Sequence, residues 1–231
     1  MASCTTLRTP NFHWQHAMRE TRPEGSVKAR FSLDLSVLEG RGGYARVDLR
    51  RRIFETRFNG GFWHRQSLRL LDLVTRLEAG QLPAHAAAVS KAGRTFLLAG
   101  RSGAGKSTAS GMAVEAGWHK LQDDLCFLEK GRLQEALDWS APSHRRPVGG
   151  GDVAGLMILV QAREDRLRPL DRREAVSRMG PLWGPPAPLP MQDWLSRLER
   201  ELSVLPVYEL RFRKSPSFTR VLEGLPRRKC P

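Results

Sequence analysis

A glycine-rich segment at residues 100–108 carries the clearest chemical pattern of the chain. It reads Gly-Arg-Ser-Gly-Ala-Gly-Lys-Ser-Thr and matches G-x-x-x-x-G-K-[ST], the spacing of a phosphate-binding loop. The apolar run 95–99 before it predicts a buried strand, and residues 107–116 predict a helix that ends at Gly117. Strand, loop and helix in this order are the context that the motif requires. The residues predicted to bind the phosphates of a nucleotide are Gly100, Arg101, Ser102, Gly103, Ala104, Gly105, Lys106, Ser107 and Thr108.

The residue types of this segment divide the work of holding a nucleotide. Glycines let backbone N–H groups turn inward onto an anion, and the free N–H groups of the helix start add to the same positive field. Lys106 is expected to reach the β and γ phosphates of ATP, and Ser107 is expected to hold Mg²⁺. A glycine turn that binds nothing is the alternative, and the agreement of spacing with context favours the phosphate site.

An acidic pair, Asp123-Asp124, follows Lys106 by only 17 residues. One predicted helix and one predicted strand separate the two motifs, and a strand that neighbours the loop strand would end at the same edge of the sheet. The pair would then lie beside the γ phosphate, where one carboxylate could hold magnesium and the other could accept a proton from an attacking hydroxyl. An exposed turn is the alternative. The apolar residues Leu121, Leu125 and Phe127 favour a turn that is drawn onto the sheet.

A single histidine, His85, lies 15 residues before Gly100. The apolar runs 84–89 and 95–99 are joined by the short segment 91–94, so we predict an antiparallel hairpin. His85 would lie at the end of this hairpin away from the turn, which is also where the loop begins. A role at the nucleotide site and a structural role both remain open for this side chain.

The remaining pattern predicts an α/β fold with a mixed central sheet and the phosphate-binding loop between a strand and a helix. Residues 1–80 are predicted to form a strand-rich segment plus a helix packed on the core, and residues 81–231 the core that carries the loop, within one compact domain overall. Strands are predicted at 31–37, 44–58, 153–160 and 206–212, helices at 65–79, 169–179 and 191–202, and an irregular proline-rich segment at 180–190.

Charge and cysteine usage limit the class of protein. The formal net charge is +14, and the 38 basic residues comprise 31 arginines and seven lysines. The arginines are scattered and do not alternate with aromatic residues, which argues against nucleic-acid binding; a functional basic face and a coding bias both remain open. No apolar run is long enough for a membrane span, and the N-terminus lacks an apolar signal core. Cys4, Cys126 and Cys230 lie far apart without metal-ligand spacing, so a cytoplasmic location is expected.

Three segments carry a family resemblance: His-Ala-Ala-Ala-Val at 85–89, residues 93–108, and Gly-Trp-His-Lys-Leu-Gln-Asp-Asp at 117–124. They resemble the catalytic core of the HPr kinase/phosphorylase group, which is related in fold to ATP-dependent phosphoenolpyruvate carboxykinase. Residues 205–212 resemble the closing strand of smaller HPr kinase-like proteins. Such small members occur beside genes for peptide natural products, lasso peptides among them, and phosphorylate a serine of the precursor peptide.

The resemblance implies an ATP-dependent kinase that phosphorylates a serine of a protein or peptide. It implies that His85 lies in the active site, that Asp123 is the base for the substrate serine and that Asp124 is a magnesium ligand. The bifunctional members carry a longer C-terminal segment with a glutamate- and arginine-containing motif for phosphorolysis, which this sequence lacks, so only the kinase activity is implied. The family commonly forms hexamers, and the resemblance therefore points to a homo-oligomer.

Two other functions remain open. A P-loop kinase of a small-molecule hydroxyl can also place an acidic residue after the first helix, although such kinases usually begin with the loop, which starts here at residue 100. A non-catalytic module would bind ATP and transfer nothing, but the intact Lys106, Ser107 and acidic pair argue against it. The candidate contacts for an acidic substrate, each of which could also be a solvated surface residue, are Arg145, Arg146, Arg211 and Arg213.

Overall fold

The computed structural model describes residues 3–9, 12–21, 27–30, 35–40, 43–48, 50–51, 53–58, 71–123, 125–137, 147–148, 150–183 and 189–226. By its contacts the chain divides into two compact units. The first contains Met1–Gly80, Asp138–Arg145 and Pro185–Met191, and the second contains Gln81–Leu137, Arg146–Gly184 and Gln192–Pro231. The expectation of one compact domain overall stays a prediction.

The first unit contains a six-stranded sheet in the order β1-β2-β6-β5-β4-β3. All neighbours are antiparallel except β2 and β6, which are parallel. The predicted strand at 44–58 is a hairpin of β5 and β6, on which Ala45, Val47 and Phe54 are fully buried. Of the predicted strand at 31–37, residues 35–37 lie in β4 and the rest lie outside the described residues. The strands are β1 (Ser3–Thr9), β2 (Phe12–Thr21), β3 (Val27–Arg30), β4 (Leu35–Gly40), β5 (Gly43–Asp48) and β6 (Ile53–Phe58).

A helix also belongs to the first unit. Residues 71–78 form helix α1, and they cover the part of the predicted helix 65–79 that the structure describes as helical. Leu71, Val74 and Leu77 are buried along one stripe, as their spacing predicts. Asp72 and Arg76, one turn apart on this helix, form a buried ion pair of 2.8 Å.

The second unit is built on a curled, mixed sheet of nine described strands. Its path runs β10-β8-β9-β15-β12-β11-β7, and β17 pairs with β15 and carries β16 on its other side. β7 and β8 are separated in the chain by one residue, but β7 pairs with β11 and β8 pairs with β9, and these two partners lie far apart on the path. The sheet must therefore curl to bring its two ends together. The strands are β7 (Leu82–Ala84), β8 (Ala86–Lys91), β9 (Arg94–Ala99), β10 (His119–Gln122), β11 (Cys126–Glu129), β12 (Arg132–Leu133), β15 (Gly151–Gln161), β16 (Arg166–Pro169) and β17 (Val207–Phe212), and a separate pair consists of β13 (Ala136–Leu137) and β14 (Pro147–Val148).

Three parallel strands, β9, β15 and β17, form the centre of this sheet. The helices around it are α2 (Lys106–Glu115), α3 (Arg172–Trp183), α4 (Met191–Val204) and α5 (Phe218–Glu223). Helices α2 and α5 pack on one face, where Ala109 and Phe218 join the core cluster with Leu98, Leu159 and Leu210. Side chains alternate along a strand, so Ile158 and Glu209 project from the other face, where Arg178 of α3 contacts Glu209. No helix among the described residues is long and apolar enough to cross a membrane.

Several local predictions are confirmed. The mixed α/β class is confirmed, as is the antiparallel β8–β9 hairpin. Its turn residues, Ala92 and Gly93, both have positive φ, 51° and 75°. This is the combination that a two-residue turn between twisted strands requires.

Other predictions are corrected by the fold. The predicted helix 169–179 begins later and ends later: Pro169 lies in β16, and α3 continues through Pro181 to Trp183, into the segment predicted to be irregular. A proline in a helix forfeits its own N–H bond and crowds the carbonyl of Ser177, but burial of Met179 and Trp183 holds the last turn in place. Helix α5 was not predicted, because its six residues are too few to show a period.

Candidate functional site

The segment Gly100–Gly105 forms a tight loop between the end of β9 and the start of α2. Gly103 and Gly105 have φ values of 79° and 96°, in the left-handed region that favours glycine. A Cβ on Gly100 would lie 2.7 Å from the Cβ of Ala104, so the loop can close only if residue 100 has no side chain. Two different constraints, backbone angle and close approach, thus explain the spacing of these glycines.

The start of α2 presents unneutralised N–H groups. Its N-cap is Gly105, which supplies no side-chain hydrogen bond, and the first turn of this fully described helix contains no acidic residue. The first bond along the helix is donated by the N–H of Ala109 to the carbonyl of Gly105, at 2.7 Å. The N–H groups of Lys106, Ser107 and Thr108 therefore have no partner within the helix. An anion fits this position electrostatically, because the helix dipole adds to the N–H groups.

Lys106 folds back over the loop. Its Nζ donates hydrogen bonds to the carbonyl oxygens of Gly100 at 2.8 Å and Arg101 at 3.4 Å. The ammonium is thereby held at the mouth of the loop. Both predicted phosphate-binding elements, the N–H groups of the helix start and the lysine, lie at the same end of β9.

One residue at this loop was missed by the sequence analysis. Gln161, the last residue of β15, donates a hydrogen bond from Nε2 to the carbonyl of Gly103 at 3.1 Å. The same amide and the ring of Phe212 lie close to Gly105, where a Cβ would be 3.4 Å and 3.1 Å from them. The available signal was a polar residue at the carboxyl end of an apolar run, but nothing in the sequence paired that run with β9.

Asp123 follows β10 directly, but β10 is not the neighbour of β9. It pairs with β8, and β9 is flanked by β8 and β15, so the predicted adjacency of the two strands is wrong. Because β9 and β10 are both antiparallel to β8, they still end at the same edge of the sheet, about 10 Å apart. Asp123 is exposed, and its Oδ2 accepts a hydrogen bond from Lys120 Nζ at 3.0 Å. Leu125 is 40% exposed and does not draw the turn onto the sheet as expected.

His85 lies where the hairpin prediction put it. Ala86 is paired with Ala99, so His85 stands at the start of β8, level with the beginning of the loop. Its side chain is exposed, and its carbonyl accepts a hydrogen bond from Trp183 Nε1 at 3.2 Å. At this edge of the sheet β8 lies between β10 and β9, and His85 therefore lies between Asp123 and the loop.

A cleft of about 350 Å³ opens beside the loop on the side of α3. Its walls come from the loop, from Ile158 and Leu159 on β15, and from one face of α3. Ser177 and Pro181 both line it. Because Pro181 has no N–H, the carbonyl of Ser177 lacks its usual donor within the helix. The cleft is mainly apolar, and Arg178 is also among the residues that line it.

The predicted site residues thus divide into four groups, one of which, Arg211 and Arg213, lies in β17 and directly after it. The loop residues 100–108 and His85 lie together, and Asp123 lies at the same edge two strands away. Asp124, Arg145 and Arg146 lie outside the described residues. In comparison with known proteins, neither a protein-family model nor a curated protein matches this chain.

Proposed function

We propose that the protein is an ATP-dependent kinase that transfers the γ-phosphate to a serine hydroxyl of a protein or peptide. The observation that carries the proposal is the order of groups along one edge of the sheet: Asp123 after β10, His85 before β8, and the loop after β9. A hydroxyl bound over the start of β8 would have a carboxylate on one side and the loop on the other. The resemblance to the HPr kinase/phosphorylase group supports the same assignment.

In this proposal the loop and the helix start bind the nucleotide. The N–H groups at residues 103–108 and the ammonium of Lys106 bind the phosphates, and Ser107 with Asp124 holds Mg²⁺. ATP supplies the phosphoryl group when it is bound. The uncapped start of α2, which lacks an acidic side chain, fits a polyphosphate because the chain itself does not neutralise these N–H groups.

Asp123 is the proposed base for the serine hydroxyl. Within the described residues Lys120 engages Oδ2, which leaves Oδ1 to accept the proton. The carboxylate is exposed, so an acceptor can approach it from solvent. His85, between the carboxylate and the loop, is placed to contact the bound hydroxyl or the transferred phosphate.

A kinase of a small-molecule hydroxyl is the second candidate, and the cleft beside the loop favours it. Its volume of about 350 Å³ lies in the range of small-ligand pockets. However, Asp123 does not line this cleft, whereas a small acceptor held there would need a base within hydrogen-bond distance. The exposed edge at Asp123 suits a peptide better.

Nucleotide binding is tested by calorimetry with Mg²⁺-ATP on the full chain. Lys106→Ala is expected to weaken binding at least tenfold, because a charge-assisted contact to the phosphates is lost. The matched control is Lys130→Asn, which also removes one lysine charge and keeps a residue type that tolerates the φ of 52° at that position. Equal affinity of the two variants would refute the assignment of the loop.

Transfer is tested with γ-labelled ATP and a library of serine-containing peptides. Asp123→Asn is expected to reduce transfer by 10² or more, in the range typical of general-base loss, without weakening ATP binding. Asp152→Asn is the control, because Asp152 lies at the opposite end of β15 in an exposed ion pair with Arg132. Full transfer by the Asp123→Asn variant would exclude the proposed base, and binding without transfer to any acceptor would favour a non-catalytic module.

A further inference from the structure

A basic cluster, defined as Arg166, Arg168 and Arg211 around Glu209, lies on β16 and β17. Together these residues line a surface cavity of about 130 Å³. The strand register pairs Arg166 with Arg211 and Arg168 with Glu209. Directly opposed residues of antiparallel strands share a face, so all four side chains project from the face that α3 covers.

The pairing of Arg166 with Arg211 is unfavourable by itself. Like charges directly opposite each other on neighbouring strands repel. Arg211 donates only its Nε to Glu209, at 3.0 Å, and its side chain is half exposed. In the part of the chain that the structure describes, Arg166 forms no ion pair. An anion between the two guanidinium groups would convert this repulsion into two attractive contacts.

Glu209 holds the cluster together without neutralising it. Its carboxylate, 7% exposed, lies 3.5 Å from Arg168, 3.0 Å from Arg211 and in direct contact with Arg178 of α3. Burial raises the pKa of Glu209, but the hydrogen bonds from Arg178 and Arg211 outweigh this and hold the pKa below its usual value. Glu174 is the other carboxylate in the network and binds Arg168 at 2.6 Å. Four guanidinium groups against these two carboxylates and that of Asp171, which interacts with Glu174, still leave a net positive charge.

The cluster lies near the loop, on the side away from Asp123. Ile158 is paired with Ala99 on β9 and with Glu209 on β17, so Glu209 is two strands from the end of β9, about 10 Å away. Arg211 lies further toward the edge at which the loop begins. Arg178 connects the two places, because it contacts Glu209 and also lines the cleft beside the loop.

We propose that the basic cluster binds the carboxylates of an acidic stretch in the peptide acceptor; this inference rests on the proposed kinase function. A serine over the start of β8 is three strands from β17, which corresponds to about 14 Å. An extended chain advances about 3.4 Å per residue. The acidic residues therefore lie about four residues from the phosphorylated serine, and the intervening segment passes the apolar cleft.

Binding is tested with fluorescein-labelled serine peptides and the full chain, by anisotropy and without ATP. One peptide of each pair carries two glutamates about four residues from the serine, and the other carries two glutamines there. The glutamate peptide is expected to bind about tenfold more tightly to the wild type. Arg166→Gln/Arg211→Gln should abolish the preference, and Arg166→Gln alone should reduce it without loss of thermal stability, since that arginine has no described ion pair to lose.

The control is Arg132→Gln/Arg220→Gln, which removes the same charge from exposed sites on β12 and on α5. This variant should keep the preference. Equal binding of both peptides by the wild type, or a preference that survives in the Arg166→Gln/Arg211→Gln variant, would overturn the proposal. Inorganic phosphate that occupies the cluster without being displaced by the glutamate peptide would assign it to a free anion and overturn it as well.

The kinase assignment is read separately, from ATP calorimetry and from phosphate transfer to the glutamine peptide. Transfer to both peptides at equal rates and affinities would refute the acidic subsite but would leave the kinase proposal intact. If the protein prefers the glutamate peptide but binds no ATP, the anion site is supported and the kinase proposal is refuted.

Discussion

Two turns of the second unit bring backbone N–H groups close together. In one of them a carboxylate of the chain accepts their hydrogen bonds, and in the other the helix supplies no acceptor. In the turn between β11 and β12, Lys130 and Gly131 have φ values of 52° and 75°, and their N–H groups point at Glu201. That carboxylate is completely buried and accepts the two bonds at 2.9 Å and 2.8 Å. At the start of α2, the N–H groups of the first turn meet no carboxylate of their own helix.

The difference separates a structural turn from the proposed binding site. In the turn between β11 and β12, a buried carboxylate of the chain itself accepts both hydrogen bonds, so these two N–H groups need no ligand. The loop after β9 also brings several backbone N–H donors together, but here Ser107 and Thr108 are exposed to solvent. Donors that the chain gathers and then leaves open to solvent are those that a ligand can use.

Glu201→Ala is expected to have the largest effect on stability. It leaves one buried and one partly buried N–H group without an acceptor, and we expect the free energy of unfolding to fall by about 3 kcal/mol. Urea denaturation measures this loss. Glu201→Gln retains one oxygen acceptor and should lose less. Wild-type stability in the alanine variant would show that the carboxylate does not hold the turn and would break the comparison.

Gly100→Ala tests the open loop. The added Cβ would lie 2.7 Å from Ala104, so the loop must shift, with a loss of about 2 kcal/mol of stability and an expected loss of Mg²⁺-ATP affinity. The matched change is Gly111→Ala in α2, where a Cβ meets nothing within 4 Å and should stabilise the helix by up to about 1 kcal/mol. Calorimetry should show that the Gly100→Ala variant binds Mg²⁺-ATP more weakly than the Gly111→Ala variant. Equal affinities of the two variants would contradict a loop shaped for phosphate.

The Asp165→Asn variant tests, through the pH dependence of stability, whether a carboxylate holds a backbone N–H group in place. Asp165 is another carboxylate that accepts such a bond, from the N–H of Arg213 at 2.8 Å. Burial raises its pKa, but hydrogen bonds from Ser217 and Arg213 outweigh this and lower the pKa below 3.8. The stability due to this carboxylate is therefore complete above about pH 4 and is lost as the pH falls through the folded-state pKa.

The Asp165→Asn variant should lose about 1.5 kcal/mol at pH 7, since it replaces a charged acceptor with a neutral one. The difference from the wild type should shrink as the pH falls below about 4, which unfolding curves recorded at a series of pH values would reveal. A difference that stays constant down to pH 3 would contradict the lowered pKa.

Gln161→Ala is expected to have the smallest effect. It removes one hydrogen bond to the carbonyl of Gly103, so we expect ATP affinity to fall about fivefold and stability to change by less than about 1 kcal/mol. Gln192→Ala, at an exposed position of α4, serves as the control. Unchanged affinity would mean that β15 does not position the loop.

The loop and its two flanking elements were predictable because their signals are local. The apolar run, the spaced glycines and the start of the helix all lie within a segment of 23 residues, 94–116. The β8–β9 hairpin followed in the same way from two strands and a short turn, and it placed His85 correctly. No comparable local signal predicted β16, which was recognised as a strand only from its pairing with β17.

The adjacency of β10 and β9 was the main error, and its cause is instructive. The strand after α2 was assigned to the nearest free neighbour, but that position belongs to β15, which begins more than 50 residues after β9. Pairing of strands that are distant in sequence depends on how whole faces pack. No pattern within β10 or β15 encodes that choice.

The sequence by itself determined what neighbouring residues decide: the positive-φ turns, the glycine loop, the helix start and the charge of each side chain. Steric limits on φ and ψ and the period of apolar residues act over a few residues, and they can be read without the rest of the chain. The tertiary structure alone decided that Gln161 braces the loop, that β8 separates Asp123 from it, and that Arg166 faces Arg211. Those arrangements arise from the register of strands far apart in the chain, which the burial of both faces of the sheet selects.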